Sequence, residues 1–301
     1  LMVRSDARGL VQTGLYFALL VGLGYLVWLA LGSWWVVPAF LAYASVYCFL
    51  NHMMHETIHR TPFRSKGLND TVNWIATFLN GGEAVFTRYA HLRHHKVTYY
   101  EEYDPELIFR RPTTAINYFF KAFVDIPKPL AILRRAAGNL NAQDRDLVPA
   151  GELRWLVWSS RLWIAACLLI LLVSLLFQSW LPLLYTVGAR ILGAPLARLL
   201  DFSQHSCLEI NTPDHRLCCR NIYLNPLLRF LYWNMNYHIE HHMFPAVPFH
   251  ALPKLHDQIR DQLPPANKGL MDAYGDIIRA LIRQQRDPNH HIHPVLPEQE
   301  P

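Results

Sequence analysis

The chain is 301 residues long, 52% hydrophobic and 17% charged, with a formal net charge of +5, a balance that tilts away from a water-soluble domain. Its five cysteines (Cys48, Cys167, Cys207, Cys218 and Cys219) are odd in number and form no CxxC pair. This excludes a cysteine-ligated iron–sulfur centre and reads as reduced apolar filler in a cytoplasmic setting.

The first predicted element covers residues 10–31, which carry no charge. As a helix it would be about 33 Å long, enough to cross a bilayer core. It is too long for a signal-peptide core and lacks a small-residue cleavage site, so it reads as a retained span. A second apolar run, 34–50, follows after only Gly32 and Ser33. The stretch 51–154 then carries fourteen Lys and Arg. Within it, 73–86 is apolar but too short and Gly-interrupted to span, and is expected to be re-entrant or interfacial. Trp74, Glu83, Trp233 and Tyr237 could wall a substrate entrance, but aromatics at this depth more often form an interfacial belt, and they are not counted in the site. The third and fourth spans are 155–177 and 180–200, joined through Gln178 and Ser179. Neither outer turn carries Lys or Arg, so the positive-inside rule puts both chain ends and the middle stretch in the cytoplasm.

The expected fold is therefore an all-α membrane protein of four transmembrane helices, arranged as two hairpins. A cytoplasmic helical cap is expected from 51–154 and 201–288, the whole forming one membrane-embedded domain over 1–301. Apolar residues recur at helical spacing over 252–263 and 270–282, either side of Pro264 and Pro265; these predict amphipathic helices on the cap or membrane surface. The polar, Pro-rich stretch 289–301, with His290, His291 and His293, is expected to be a frayed tail. The positive charge suits anionic lipid headgroups or an acidic electron carrier, and nothing in the chain points to nucleic acid.

Eight histidines fall into three clusters, each just past an apolar run: His55 and His59 in HETIH, His91, His94 and His95 in HLRHH, and His238, His241 and His242 in HIEHH. Spacings of three and four put them on single helix faces. Three such faces can close around metal, and imidazole suits zinc, copper, iron and nickel. Eight ligands exceed a zinc site and match two iron ions with positions to spare. His55–His59 also matches HExxH, the zinc-hydrolase pattern with Glu56 as general base. That reading leaves both HxxHH triplets unexplained.

All three clusters together resemble the integral-membrane fatty acid desaturase and hydroxylase superfamily, non-haem diiron enzymes with histidine boxes in this order. The flanks AHLRHHKVTYYEEYDPEL and NYHIEHHMFPAVP strengthen the likeness, which runs from the second span to about Pro248. The resemblance implies two iron ions, with O2 as co-substrate. It also implies a ninth ligand at the end of the last span, where His205 stands, four residues after Asp201. Asp201 is then a further candidate ligand or supporting group. Glu56, Asp104, Glu209 and Glu240 are the acids placed to hold ligand imidazoles. His52 is expected to support or pack, and His215, His250 and His256 to lie at the surface.

The implied reaction is O2-dependent attack on an unactivated C–H bond of a lipophilic or amphiphilic substrate. The compact chain and the three-residue gap in the first box favour hydroxylation, with acyl-lipid desaturation or carotenoid ketolation or hydroxylation as alternatives. The sequence shows neither a Gly-rich nucleotide fingerprint nor an HPGG haem segment, so a separate ferredoxin or rubredoxin with its reductase is the expected donor. Arg60, Arg64, Lys66, Arg88, Arg93 and Lys96 suit docking of such a carrier and lipid headgroups equally, and a bacterial inner membrane is the expected location. From other classes, an intramembrane zinc protease using HETIH comes second. A metal-storage or transport protein comes third; transport should place ionisable groups inside the spans, where Arg161 and Arg190 are the clear candidates.

Overall fold

The computed structural model describes residues 1–124 and 129–297; among them no strand occurs, only one isolated bridge between Ile222 and Asn267. Four helices are long and apolar enough to cross a bilayer: Asp6–Leu29, Val36–Ile58, Ala150–Leu176 and Leu181–Ser203. The protein is thus an all-helical integral membrane protein.

The first span is α1 (Asp6–Leu29), started by Ser5, whose hydroxyl accepts from the Arg8 N–H. The second is α2 (Val36–Cys48) continued, past a break at Phe49, by α3 (Leu50–Ile58). It therefore reaches further than the expected 34–50. The reason is amphipathic: α3 buries Leu50, Met53 and Ile58, so the helix continues although one of its faces turns polar. Then come α4 (Lys66–Leu79), α5 (Ala84–Lys96), α6 (Ala115–Phe123), α7 (Pro129–Ala136) and α8 (Ala142–Leu147). The third span runs through α9 (Leu153–Leu176). The fourth joins α10 (Leu181–Leu183), a π turn at Leu184–Gly188 and α11 (Ala189–Ser203). The second cap half holds α12 (His215–Cys218), α13 (Pro226–Leu231), α14 (His238–Met243), α15 (Leu252–Ile259) and α16 (Leu270–Gln284).

The spans divide by environment. Half of the second span's most apolar stretch is buried against protein, against 17% of the third's. Leu168, Leu175 and Phe177 are exposed there, as lipid-facing side chains should be. The second and fourth spans form the inner contact: a Cβ on Gly193 would stand 1.8 Å from the Ala44 carbonyl oxygen, so only glycine lets α11 lie this close to α2. The main core continues from these spans into the cap through Trp233, Met235, Phe249 and Leu252. The two amphipathic helices appear as α15 and α16, which bury Leu252 and Leu255, and Ile277 and Leu281.

Residues 289–292 of the stretch expected to fray make hydrogen bonds to the cap. The Ile292 N–H donates to the Cys207 carbonyl (2.7 Å), Arg111 donates to the Asn289 carbonyl (2.9 Å), and Gln284 to that of His290 (2.9 Å). These hydrogen bonds involve backbone groups and a half-buried Ile292, which composition alone does not indicate. The expectation for 298–301 lies outside the described residues.

Candidate metal centre

α3 presents His55 and is followed at its C-cap by His59; α5 presents His91, His94 and His95; α14 presents His238, His241 and His242. His205 stands just past α11, whose last residue is Ser203. α5 is started by Glu83, which accepts from the N–H groups of Val85 and Phe86. Glu83 is thus an N-cap. Neither it nor Trp74, Trp233 or Tyr237 lines the cavity beside the histidines, so none of the four is a wall of it.

The imidazoles gather in two groups. His55, His59, His91, His95 and His241 bring one ring nitrogen each to within 4.8 Å of one another, and His94, His205 and His242 do the same. His238 adjoins the second group, its Nε2 2.9 Å from that of His205. In the first group Nε2–Nε2 separations are 2.7 Å (His55–His241), 3.1 Å (His59–His91) and 3.0 Å (His91–His95). Two ligand nitrogens bound about 2.1 Å from one ion at right angles stand about 3 Å apart. Hydrogen bonding alone cannot satisfy such a cluster, since each contact needs one N–H and one lone pair. The buried Nε2 of His242 has no hydrogen-bond partner at all. Crowded, buried lone pairs are costly unless a cation takes them, so the donor set fits metal. It is all imidazole, the ligand type of iron, zinc and copper sites.

The groups behind the rings set their orientation. Asp104 accepts from His94 Nδ1 (2.9 Å), and Glu106 lies 3.1 Å from His91 Nδ1. The Cys218 carbonyl accepts from His205 Nδ1 (2.8 Å), and the Thr98 hydroxyl lies 3.2 Å from His242 Nδ1. Each such bond leaves Nε2 with its lone pair directed inward. Burial, then the neighbouring imidazoles, hold His59, His95, His238, His241 and His242 well below the ordinary histidine range. His205 is pushed down to about 3 by burial and by His94. These rings are neutral at pH 7, the form that binds metal. For His94, burial pushes the same way, but the Asp104 hydrogen bond and the charges of Glu106 and Asp104 outweigh it and raise the value. Burial would raise Asp104 and Glu106, yet the facing histidines pull both below the usual carboxylate range.

Several sequence expectations land elsewhere. Asp201 joins neither group; it accepts from Asn51 Nδ2 (2.8 Å) and meets His52 Nε2 at 2.6 Å. Glu240 turns away from the centre to His256 and Asn221, because a residue beside His241 and two after His238 points to the opposite helix face. His256 is accordingly buried, not at the surface, bound to Glu240 and to the Tyr223 hydroxyl. His215 is half-buried against His242, and the half-buried His250 meets Arg8 at 3.0 Å. Glu56 lies behind His241, 3.9 Å from its Nδ1, and accepts from Thr61 (2.8 Å). It does not line the cavity, so it faces no substrate as a general base would. Glu209 gathers with His291 and His293 of the tail, away from the centre. Glu106 was missed, although it stands beside Asp104 in the acidic DPE run. Thr98 and the Cys218 carbonyl carry no sequence signal.

A cavity of about 350 Å³ adjoins both groups, lined by His55, His91, His94, His205 and His238 and by the inner faces of α3 and α11. Its size suits a small ligand.

A family model for fatty acid desaturases matches residues 32–274. The chain is also 24% identical to a fatty acid desaturase 2-like protein of Homo sapiens, over 89% of this chain and 62% of the relative. It therefore spans a little under two thirds of that relative's length.

Proposed function

The chain belongs to the fatty acid desaturase family, and from that premise we propose that its two histidine groups hold a pair of iron ions in an O2-dependent membrane oxidoreductase. The observation that carries this reading is the convergence of eight imidazoles from three helices and the end of the fourth span into two groups, with nitrogen separations near those of ligands on one ion. Iron supplied there with O2 and electrons provides the oxidising power that an unactivated C–H bond requires.

The chain's own part is positioning. His55, His59, His91, His95 and His241 hold one ion, and His94, His205 and His242 the other, with His238 beside the second. Asp104 and Glu106 fix the rings of His94 and His91. The substrate, lipophilic or amphiphilic, enters the cavity between α3 and α11, where the bilayer is its reservoir. We put hydroxylation ahead of desaturation on the three-residue gap of the first box; the choice itself is made by how the cavity presents the substrate carbon. The cap and both chain ends face the cytoplasm on the positive-inside pattern, and a separate ferredoxin or rubredoxin with its reductase delivers electrons. Of the basic residues that could dock it, Arg60 and Arg88 share Asp70, and Arg93 pairs with Asp146. Exposed Arg64, Lys66 and Lys96 are the better contacts.

The test is metal content by elemental mass spectrometry on untagged protein, followed by O2 uptake with reductant and amphiphiles. About two irons per chain and substrate-dependent uptake are expected. One zinc, with full activity and no uptake of O2 after iron loading, would sink the reading.

A further inference from the structure

Glu209, His291 and His293 bring one ligand atom each to within 4.8 Å of one another, and none of them belongs to the two histidine groups of the centre. Glu209 lies far from the two histidines in the chain, so folding and not local spacing assembles the trio.

Backbone hydrogen bonds hold both sides of it. On the loop after α11, the Glu209 N–H donates to the Leu217 carbonyl (3.2 Å) and the Asn211 N–H to that of Tyr99 (3.1 Å). On the other side, Ile292 stands between the two histidines, and its N–H donates to the Cys207 carbonyl (2.7 Å). That contact lies two residues before Glu209. The His291 and His293 rings stand 4.0 Å apart, centroid to centroid, so both imidazoles turn to one side of the segment. His291 Nδ1 lies 3.0 Å from the Asn289 carbonyl. A carbonyl only accepts, so Nδ1 carries the proton and Nε2 keeps its lone pair, the support that ligand histidines commonly have. Arg111 feels the Glu209 charge, but its Nη1 donates to the Asn289 carbonyl.

A proton shared between Glu209 and one ring would satisfy two of the three side chains. A divalent cation satisfies all three at once. Two imidazoles and a carboxylate are a set that holds zinc, with water in the fourth place. Ligand atoms about 2.1 Å from one tetrahedral ion stand about 3.4 Å apart. The trio therefore needs only a small closure of side chains, and the exposed His293 ring can make it.

We propose that Glu209, His291 and His293 form a metal site separate from the histidine centre, which takes one divalent cation of the zinc class and clips residues 291–293 to the loop after α11. Glu209 stands four residues after His205, so the clip braces the loop that brings His205 to the centre. The site depends neither on iron nor on the oxygenase reading above.

The test dialyses the full, untagged, iron-loaded chain against graded zinc chloride and counts zinc and iron together by elemental mass spectrometry. One zinc per chain is expected, without loss of iron. Glu209→Gln keeps the shape and removes the charge, and should weaken zinc binding by more than about ten-fold. His291→Ala and His293→Ala should weaken it at least as much, since losing a ligand costs more than losing a supporting group. Zinc should also slow hydrogen exchange at the Ile292 N–H in the unaltered chain and not in Glu209→Gln. His290 stands beside the trio in sequence but outside it, so His290→Ala should leave zinc binding unchanged. No zinc beyond the iron, zinc that enters only as iron leaves, or zinc held equally by Glu209→Gln would overturn the proposal. So would an equal loss in His290→Ala and His291→Ala, which would mean adventitious binding by a run of histidines. Should Glu209→Gln fail to fold, the comparison of His290→Ala with His291→Ala and His293→Ala decides. Failure of the oxygenase reading would appear separately, as missing iron or absent O2 uptake with the Glu209-dependent zinc still bound.

Discussion

The helices α5 and α14 carry the same HxxHH pattern, yet their surroundings differ. On α5, two of the three rings are backed by carboxylates, His91 by Glu106 and His94 by Asp104. On α14, no ring has a carboxylate within hydrogen-bond distance. His242 leans on the Thr98 hydroxyl, His241 has Glu56 at 3.9 Å, and the Nδ1 atoms of His238 and His241 have no hydrogen-bond partner. Spacing along a helix decides which side chains converge; what stands behind them decides how firmly each ring is turned and how basic it is. α5 is thus the charged, pre-oriented wall of the centre, and α14 the neutral one.

The largest expected effect breaks both walls at once. His94→Ala and His241→Ala remove rings from different groups. If the groups form one centre, each change should lower turnover by more than about 100-fold, beyond what loss of a supporting group costs, and should lower iron content. In a zinc hydrolase built on HETIH, at least one of these rings is dispensable. Full activity in either variant would separate α5 from α14 and refute a joint centre.

A smaller effect distinguishes the two kinds of support. Asp104→Asn keeps the shape but removes the charge behind His94, and should cost about 10–100-fold in iron affinity or activity. Thr98→Val removes only a neutral hydroxyl behind His242 and should cost less than about ten-fold, since charge-assisted bonds are roughly twice as strong. Iron retention during dialysis against a chelator ranks the two. Equal losses would mean that the carboxylate gives α5 no special hold.

Much of this was legible in the sequence because it follows from periodicity. Four apolar runs, the first two without charge, mark the spans, and three- and four-residue spacings put the box histidines on common faces. Of the four acids expected as a group to hold imidazoles, Asp104 closely follows the second box and meets His94 in the structure. Asp201 and Glu240 hold no box histidine. Asp201 shares a helix face with His205, but Asn51 and His52 of the second span compete for its carboxylate. Glu240 adjoins His241 in sequence yet lies on the other side of α14, where His256 meets it. Both outcomes depend on contacts more than fifteen residues apart in the chain, or on which face the core covers, and local spacing encodes neither. The same holds for the tail, pinned by Cys207 and Arg111 from remote loops.

The smallest expected effect is a single ring's response to acid, and it sharpens the contrast between the two walls. In the metal-free protein six rings outside the spans (His59, His95, His205, His238, His241 and His242) bind protons less readily than free histidine. Below about pH 6.5 the unfolded chain takes up protons that the folded centre refuses, so stability falls as pH falls. The window opens near 6.5 and, for His205, closes near 3. His94 has the opposite sign: its raised value adds stability below pH 6.5 that is lost as pH rises through the folded value. One ring against six cannot reverse the trend, so the unfolding midpoint of the metal-free protein should drop between pH 7.5 and pH 5.5. Asp104→Asn takes away the partner that makes His94 the exception, and the drop should then steepen by no more than one ring's worth. A midpoint that rises on acidification would mean that charged rings are tolerated inside the centre, and that the α14 wall is not the neutral one.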